Sequence, residues 1–158
     1  MKAVVQRVTE ASVTVEGIVK SRIEGGLLVY LGVAHNDSET DADWLSEKIA
    51  YLRIFNDKDG KMNLSLRDLA AGNKHETDIL PAVLVVSQFT LLGDARKGRR
   101  PSWNGAASPD KARLLYEYFI KLIRKHDLVC ESGEFQAHMK VSYTNDGPVT
   151  IILDTKDI

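Results

Sequence analysis

One cysteine among 158 residues, Cys130, has nothing to pair with, so no internal disulfide staples this chain. A lone thiol fits a reducing compartment. An excess of one charge is missing too. The 21 basic and 22 acidic side chains leave a formal net charge of −1, so no global field draws the chain to nucleic acid or membrane. Any polyanion must be met by a local patch. No run of about 18 apolar residues exists to span a bilayer. Met1 to Val8 reads as a strand and lacks the apolar segment and cleavage site of a signal peptide. The histidines His35, His75, His126 and His138 show no metal-ligand spacing with one another, and the one pair at such spacing, His126 and Cys130, has no second pair to complete a site. Asp57, Asp59 and Gly60 begin like a calcium loop, but Asp68 stands where such a loop needs glutamate. A Gly-x-Ser-x-Gly elbow and a Gly-Lys-Ser/Thr phosphate loop are both absent.

What is present suffices for one core. The apolar fraction is 44%, no repeat or low-complexity tract stands out, and the length fits a single domain over 1–158. The first third is β-rich. Lys2 to Val8 and the alternating Ser12-Val13-Thr14-Val15 read as half-buried strands, and Leu27 to Val33 as a strand buried on both faces. Short gaps between them predict an antiparallel meander. Ser38 with Asp41 resembles a capping box, and Leu45, Ile49 and Leu52 follow at helical spacing up to a turn at Asn56-Asp57-Lys58-Asp59-Gly60. Residues 70–82 read as a loop, and Val83 to Val86 as an internal strand running into Ser87. Ser108-Pro109 starts a second helix with Leu115, Tyr118, Phe119, Leu122 and His126 on one face. Phe135 to Leu153 reads as two strands joined at Asn145-Asp146-Gly147-Pro148. The expected architecture is α+β: a curved antiparallel sheet or open barrel with two main helices.

Three stretches carry chemistry. Ser87 and Thr90 are hydroxyls at the carboxyl end of a buried strand, a place where such residues also serve as turn formers. Arg96-Lys97-Gly98-Arg99-Arg100 sets four cations in five positions beside Trp103. That strip suits phosphates and a stacked base, or else a solvated loop with the indole turned inward. Gly147-Pro148 has the composition of a hairpin turn. Cys130, with no histidine near it in sequence beyond His126 and His138, reads as a buried thiol.

Taken in order along the chain, these strings resemble the D-aminoacyl-tRNA deacylase family. Ser87-Gln88-Phe89-Thr90-Leu91 matches its first signature and Asn145-Asp146-Gly147-Pro148-Val149-Thr150 its second. Val5-Gln6-Arg7-Val8 with Ala11-Ser12-Val13 also fits, as do Lys61-Met62-Asn63-Leu64, Lys97-Gly98-Arg99-Arg100-Pro101-Ser102 and Ala107-Ser108-Pro109-Asp110. The similarity covers nearly the whole chain, with a longer loop at 70–82 and an extended tail after Leu153. It implies a cytoplasmic homodimer, free of metal and cofactor, that hydrolyses the ester of D-aminoacyl-tRNA and of mischarged glycyl-tRNA. It implies sites at the subunit interface, with Ser87, Gln88, Phe89 and Thr90 catalytic. Gly147, Pro148, Arg7 and Asn145 are implied to bind substrate. The Gly147-Pro148 bond is implied to be cis, held by Arg7 and projecting into the partner's pocket. Lys97, Arg99 and Arg100 are then the candidates for acceptor-stem phosphates, and Gln88 lies near the terminal adenine.

Such an enzyme must accept many side chains and reject every L form, so it has to sense the α-carbon. Main-chain carbonyls of Gly147-Pro148 would accept from the α-amino group and clash with an L side chain, while glycine passes. For hydrolysis, either Thr90 attacks, or the terminal ribose 2′-hydroxyl assists water while main-chain N–H groups near Phe89 and Thr90 hold the oxyanion. The second is favoured, because no base is placed in sequence to activate Thr90. Two rival classes remain: an RNA-independent esterase using Ser87 or Thr90, and a non-catalytic RNA-binding β module.

Overall fold

The computed structural model describes residues 1–72 and 81–157. The expected loop at 70–82 falls largely outside them, as does His75. Its flanks are ordered elements: Ala70 closes one helix and Ala82 opens a strand.

Strand β1 (Lys2–Val15) is one continuous strand where the sequence suggested two. The polar pair Thr9-Glu10 that separates the halves marks a bulge rather than a turn, with Val8 and Glu10 facing consecutive residues of the last strand. The chain then reverses through Glu16-Gly17, whose φ values of 51° and 81° suit a two-residue hairpin turn, into β2 (Ile18–Ile23). Strand β3 (Gly26–Gly32) pairs antiparallel with β1.

Helix α1 (Glu39–Ala50) starts at Ser38, whose main-chain N–H and hydroxyl both donate to the Asp41 carboxylate at 2.9 Å. It ends six residues before the turn expected to stop it. Ile54 and Phe55 must reach the core in extended form, and Phe55–Asn56 (β4) pairs with Met62–Leu64 (β5) across that turn. Within the turn, Asp57 accepts from the N–H groups of Asp59 and Lys61. A one-turn helix, α2 (Leu66–Ala70), begins at Ser65, whose hydroxyl accepts from the Asp68 N–H at 3.1 Å while Asp68 bonds back to Ser65.

Strand β6 (Ala82–Ser87) is buried along Ala82 to Val86, which explains its unbroken apolar run. It leads through a 3₁₀ turn (Phe89–Leu92) to α3 (Pro109–Lys125), β7 (Val129–Ser132) and β8 (Lys140–Asp154). Ser108 precedes Pro109 at the helix start, but its side chain makes no capping bond. The buried face of α3 is wider than the expected stripe. Tyr116, Ile120 and Ile123 join Leu115, Phe119 and Leu122, because the helix packs on both the sheet and α1. Tyr118 instead donates to Asp43 at 2.9 Å, and His126 caps the helix end against the edge of Tyr51.

The sheet runs β2-β1-β3-β6-β7, with β8 on β1. It is antiparallel around β1 and parallel across β3, β6 and β7, where α1 and α3 lie in the crossovers. Odd residues of β3 and β6 (Leu27, Val29, Leu31, Val83, Val85) pack under the helices with Ala3 and Val5. Even ones (Leu28, Leu84, Val86) fill a second core with Val8, Val13, Val15 and Ile23, around which the sheet curls until β2 approaches β6 and β7. The result is the curved, nearly closed sheet of an α+β fold. Each large buried side chain, such as Phe119 or Leu27, stabilises the fold by about 1.5–3 kcal/mol. Cys130 lies buried on β7, where burial pushes its thiol up to about 12 and keeps it protonated.

Gly26 has a φ of 123°, and a Cβ there would overlap the Ala82 carbonyl on the neighbouring strand. Gly26→Ala should therefore destabilise the protein by about 2–4 kcal/mol, read from the midpoint of urea unfolding. A midpoint within error of wild type would contradict this β3–β6 packing.

Candidate active site

The first signature leaves the sheet where β6 ends. Ser87 is still paired with Leu31, and the Gln88 N–H donates to the Leu31 carbonyl at 2.8 Å. The chain then tightens into the 3₁₀ turn, in which Leu91 donates to the Gln88 carbonyl and Gly93 to that of Thr90. The N–H groups of Phe89 and Thr90 are the first two of the turn, and neither has an acceptor among the described residues. Gln88 Nε2 donates to Thr90 Oγ1, so the threonine hydroxyl is held by an amide and not by a base.

The turn fits closely because β3 ends in glycine. A Cβ on Gly32 would fall 2.5 Å from Leu92 Cδ2 and 3.0 Å from the Gln88 carbonyl. Beyond the turn, Asp94 and Ser102 exchange main-chain bonds at 2.8 and 2.9 Å and pinch off the basic loop. Arg96 folds back on Asp94 and holds that carboxyl well below its usual range. Lys97, Arg99 and Arg100 are exposed and have no carboxylate partner among the described residues. Trp103 packs on Gly93 and meets Phe89 edge to face, with ring centroids 5.4 Å apart. It therefore forms a wall of the site while remaining 41% exposed.

Ser87, Gln88 and Phe89 line one side of a cavity of about 650 Å³. Trp103, the start of α3 and the 135–139 segment complete it. Three wall residues carried no signal in the sequence. Phe135 stacks obliquely on Tyr116 at 5.7 Å, and Tyr116 donates to the Val85 carbonyl at 2.8 Å, bracing α3 against β6. Burial pushes the Tyr116 phenol far above its usual range. His138 also lines the cavity, although no hydrogen bond joins it to Ser87 or Thr90 among the described residues. The spacing rules that look for metal or triad histidines had no means to find it.

The second signature lies elsewhere. Gly147 and Pro148 are exposed, joined by a cis bond, and do not line that cavity. Nor do they form a hairpin, because the strand runs antiparallel to β1 on both sides of them. Gln6 faces Thr150 and Val8 faces Asn145, so Asp146-Gly147-Pro148-Val149 leaves the ladder as an excursion opposite Arg7. Arg7 is buried. Its Nη1 donates to the Ile54 carbonyl at 2.6 Å, and its Nε lies 2.8 Å from Asp146 Oδ2 in an ion pair too bent to be a hydrogen bond. Its other terminal nitrogen packs where a Cβ of residue 147 would stand, 3.0 Å away. Asn145 Nδ2 donates to the carbonyls of Arg7 and Val149 at 2.9 and 3.1 Å.

A curved sheet with α-helical crossovers, holding a cavity at a strand end and a braced Gly-Pro projection on an edge strand, defines a small α+β domain. The family model for D-Tyr-tRNA(Tyr) deacylase matches residues 4–154, and the chain belongs to that family. The D-aminoacyl-tRNA deacylase of Koribacter versatilis is 56% identical over 156 residues, covering 99% of this chain and 98% of that protein. A solved structure of the c-Myc DNA unwinding element binding protein is 39% identical, with a TM-score of 0.86 over 98% of this chain and 99% of that one. A probable eukaryotic D-amino acid tRNA deacylase shares the fold at 16% identity, with a TM-score of 0.79 over 96% and 97% of the two chains.

Gly32→Ala should displace the 3₁₀ turn, because behind the movable end of Leu92 the Gln88 carbonyl and Leu91 Cβ also stand only 3.0 and 3.1 Å from the added Cβ. The expected result is shifted amide resonances for Gln88 to Leu91, with unchanged resonances on β7. Unperturbed Gln88 to Leu91 resonances would show that the close contact at Gly32 does not set the turn.

Proposed function

We propose that this protein hydrolyses the ester linking a D-amino acid, or glycine, to the 3′-terminal adenosine of tRNA. It would act as a carboxylic ester hydrolase in cytoplasmic proofreading of translation. The single observation that carries this reading is the pair of N–H groups at Phe89 and Thr90 that have no protein acceptor, beside a pocket in which no hydrogen bond joins His138 to Ser87 or Thr90 among the described residues. Water attacks the ester carbonyl, and the carbonyl oxygen gathers negative charge facing those N–H groups. The ribose 2′-hydroxyl relays the proton from the attacking water to the departing 3′-oxygen, giving free amino acid and intact tRNA. Neutral donors suit this task because they place no demand on the amino-acid side chain.

Handedness is read by the Gly147-Pro148 carbonyls of a second copy, entering the cavity of the first. Two features support a homodimer. The dipeptide is exposed and outside its own chain's cavity. On the same strand, Ile152 is 75% exposed and forms a row with Val4 and Tyr30, against which Tyr143 packs at 6.4 Å. Lys97, Arg99 and Arg100 take acceptor-stem phosphates.

His138 favours a second reading. It shares the cavity with Ser87, so an RNA-independent esterase with a hydroxyl nucleophile and a histidine base is the alternative. Matched D- and L-tyrosyl-tRNA separate the two. Under the RNA-assisted reading the dimeric protein cleaves only the D form, and a 2′-deoxy terminal adenosine slows it about a hundredfold or more. Thr90→Ala then costs about fivefold, the worth of one hydrogen bond. Loss of several orders of magnitude in Thr90→Ala or His138→Ala, with the 2′-deoxy substrate turned over normally, establishes the esterase.

Replacing Lys97, Arg99 and Arg100 together with glutamine should weaken tRNA binding. The slope of log K against log salt should become shallower by about 2–3. An unchanged slope removes these side chains from the interface.

A further inference from the structure

The 146–149 excursion takes four residues of β8 out of register with β1 and leaves Arg7 without a ladder partner on that side. Buried main-chain groups stranded in this way need substitutes. The substitute is one side chain. Asn145 Nδ2 gives one hydrogen to the Arg7 carbonyl at 2.9 Å, in place of the missing strand, and the other to the Val149 carbonyl at 3.1 Å, which closes the neck of the excursion. On its other face, Asn145 Oδ1 accepts from Gln6 Nε2 at 3.1 Å and from Thr150 Oγ1 at 3.2 Å. Gln6 Nε2 also donates to Thr150 Oγ1 at 3.2 Å, which closes a triangle across the first intact rung below the break.

A carboxamide has two donor hydrogens and two acceptor lone pairs, and all four of Asn145's are in use. It can touch a substrate only by releasing one of these four partners, each of which holds the excursion or its neck. We propose that Asn145 is a positioning residue rather than a substrate ligand, and that it acts with Gln6 and Thr150 to lock the neck that aims Gly147-Pro148. The inference rests on the deacylase reading for its catalytic consequence, and on the hydrogen-bond network alone for its structural one. Arg7 braces the tip of the excursion from the core side, while the triangle braces its base from the opposite face. Gln6 and Thr150 thereby enter the machinery that distinguishes D from L.

The test uses the full-length protein with Asn145→Ala, Gln6→Glu, which turns the Nε2 donor into an acceptor, and the pair Thr150→Val and Thr150→Ser. Hydrogen exchange is read by mass spectrometry on peptides spanning 144–151 and 87–92. Cleavage of D- and L-tyrosyl-tRNA is measured in parallel. The expected result is exchange about tenfold faster across 144–151 in Asn145→Ala, Gln6→Glu and Thr150→Val, with wild-type exchange across 87–92. Thr150→Ser restores protection. The ratio of D to L cleavage falls about tenfold or more in the first three variants, and kcat changes more than KM. Should Asn145→Ala not fold, Gln6→Glu and the Thr150 pair decide the question. Wild-type exchange across 144–151 in the soluble variants overturns the network, and so does lost binding with intact exchange and an intact D-to-L ratio. If wild-type protein cleaves neither tRNA, the deacylase reading fails, and the exchange measurements still decide whether the neck is locked in this way.

Discussion

An antiparallel ladder that drops four residues from one strand must find partners for the main chain it strands. The conformation of the whole β8 edge depends on how that break is sealed. Arg7 is buried at the break and fastened to Ile54, so the core fixes where its guanidinium sits. Asp146 and Gly147 then take their places against it. Asn145 supplies the donors that a regular strand would have supplied. An exposed dipeptide is thus tied to the buried core through Arg7 and Asn145.

The first signature is held in a different way. Strand β6 is buried on both faces, so its end is held from both sides, and Ser87 and Gln88 emerge in a defined direction. The first N–H groups of the 3₁₀ turn that follows have no partner within it, as at the start of any helix, and Gly32 lets the turn press against β3. Phe89, Trp103 and Phe135 give the adjoining cavity aromatic walls.

Much of this was legible because local chemistry and tertiary role coincide. Val83 to Val86 is apolar without alternation because helices cover one face and the second core lies under the other. Ser108-Pro109 announces α3, and Ser38 with Asp41 announces α1. Legibility ended where a residue's partner is distant in sequence. Thr9-Glu10 looks like a strand break until β8 shows it to be a bulge. The end of α1 is set by the core's demand for Ile54 and Phe55, not by the turn downstream. Gly147-Pro148 has hairpin composition, and only its register against β1 shows that the chain does not turn back. His138 and Tyr116 reach the cavity from elements that nothing in their own neighbourhoods links to Ser87.

The sequence by itself determined the start of both long helices, the buried strands β3 and β6, the two signature strings and the family resemblance, because periodicity, capping and composition act over a few residues at a time. Only the tertiary structure decided that β3, β6 and β7 run parallel, that Asn145 and Gln6 meet across about 140 positions, and that the two signatures stand apart within one chain. Those outcomes depend on which strands share a ladder and in what register. Register is settled by burying both cores at once, a condition that no local stretch of residues contains.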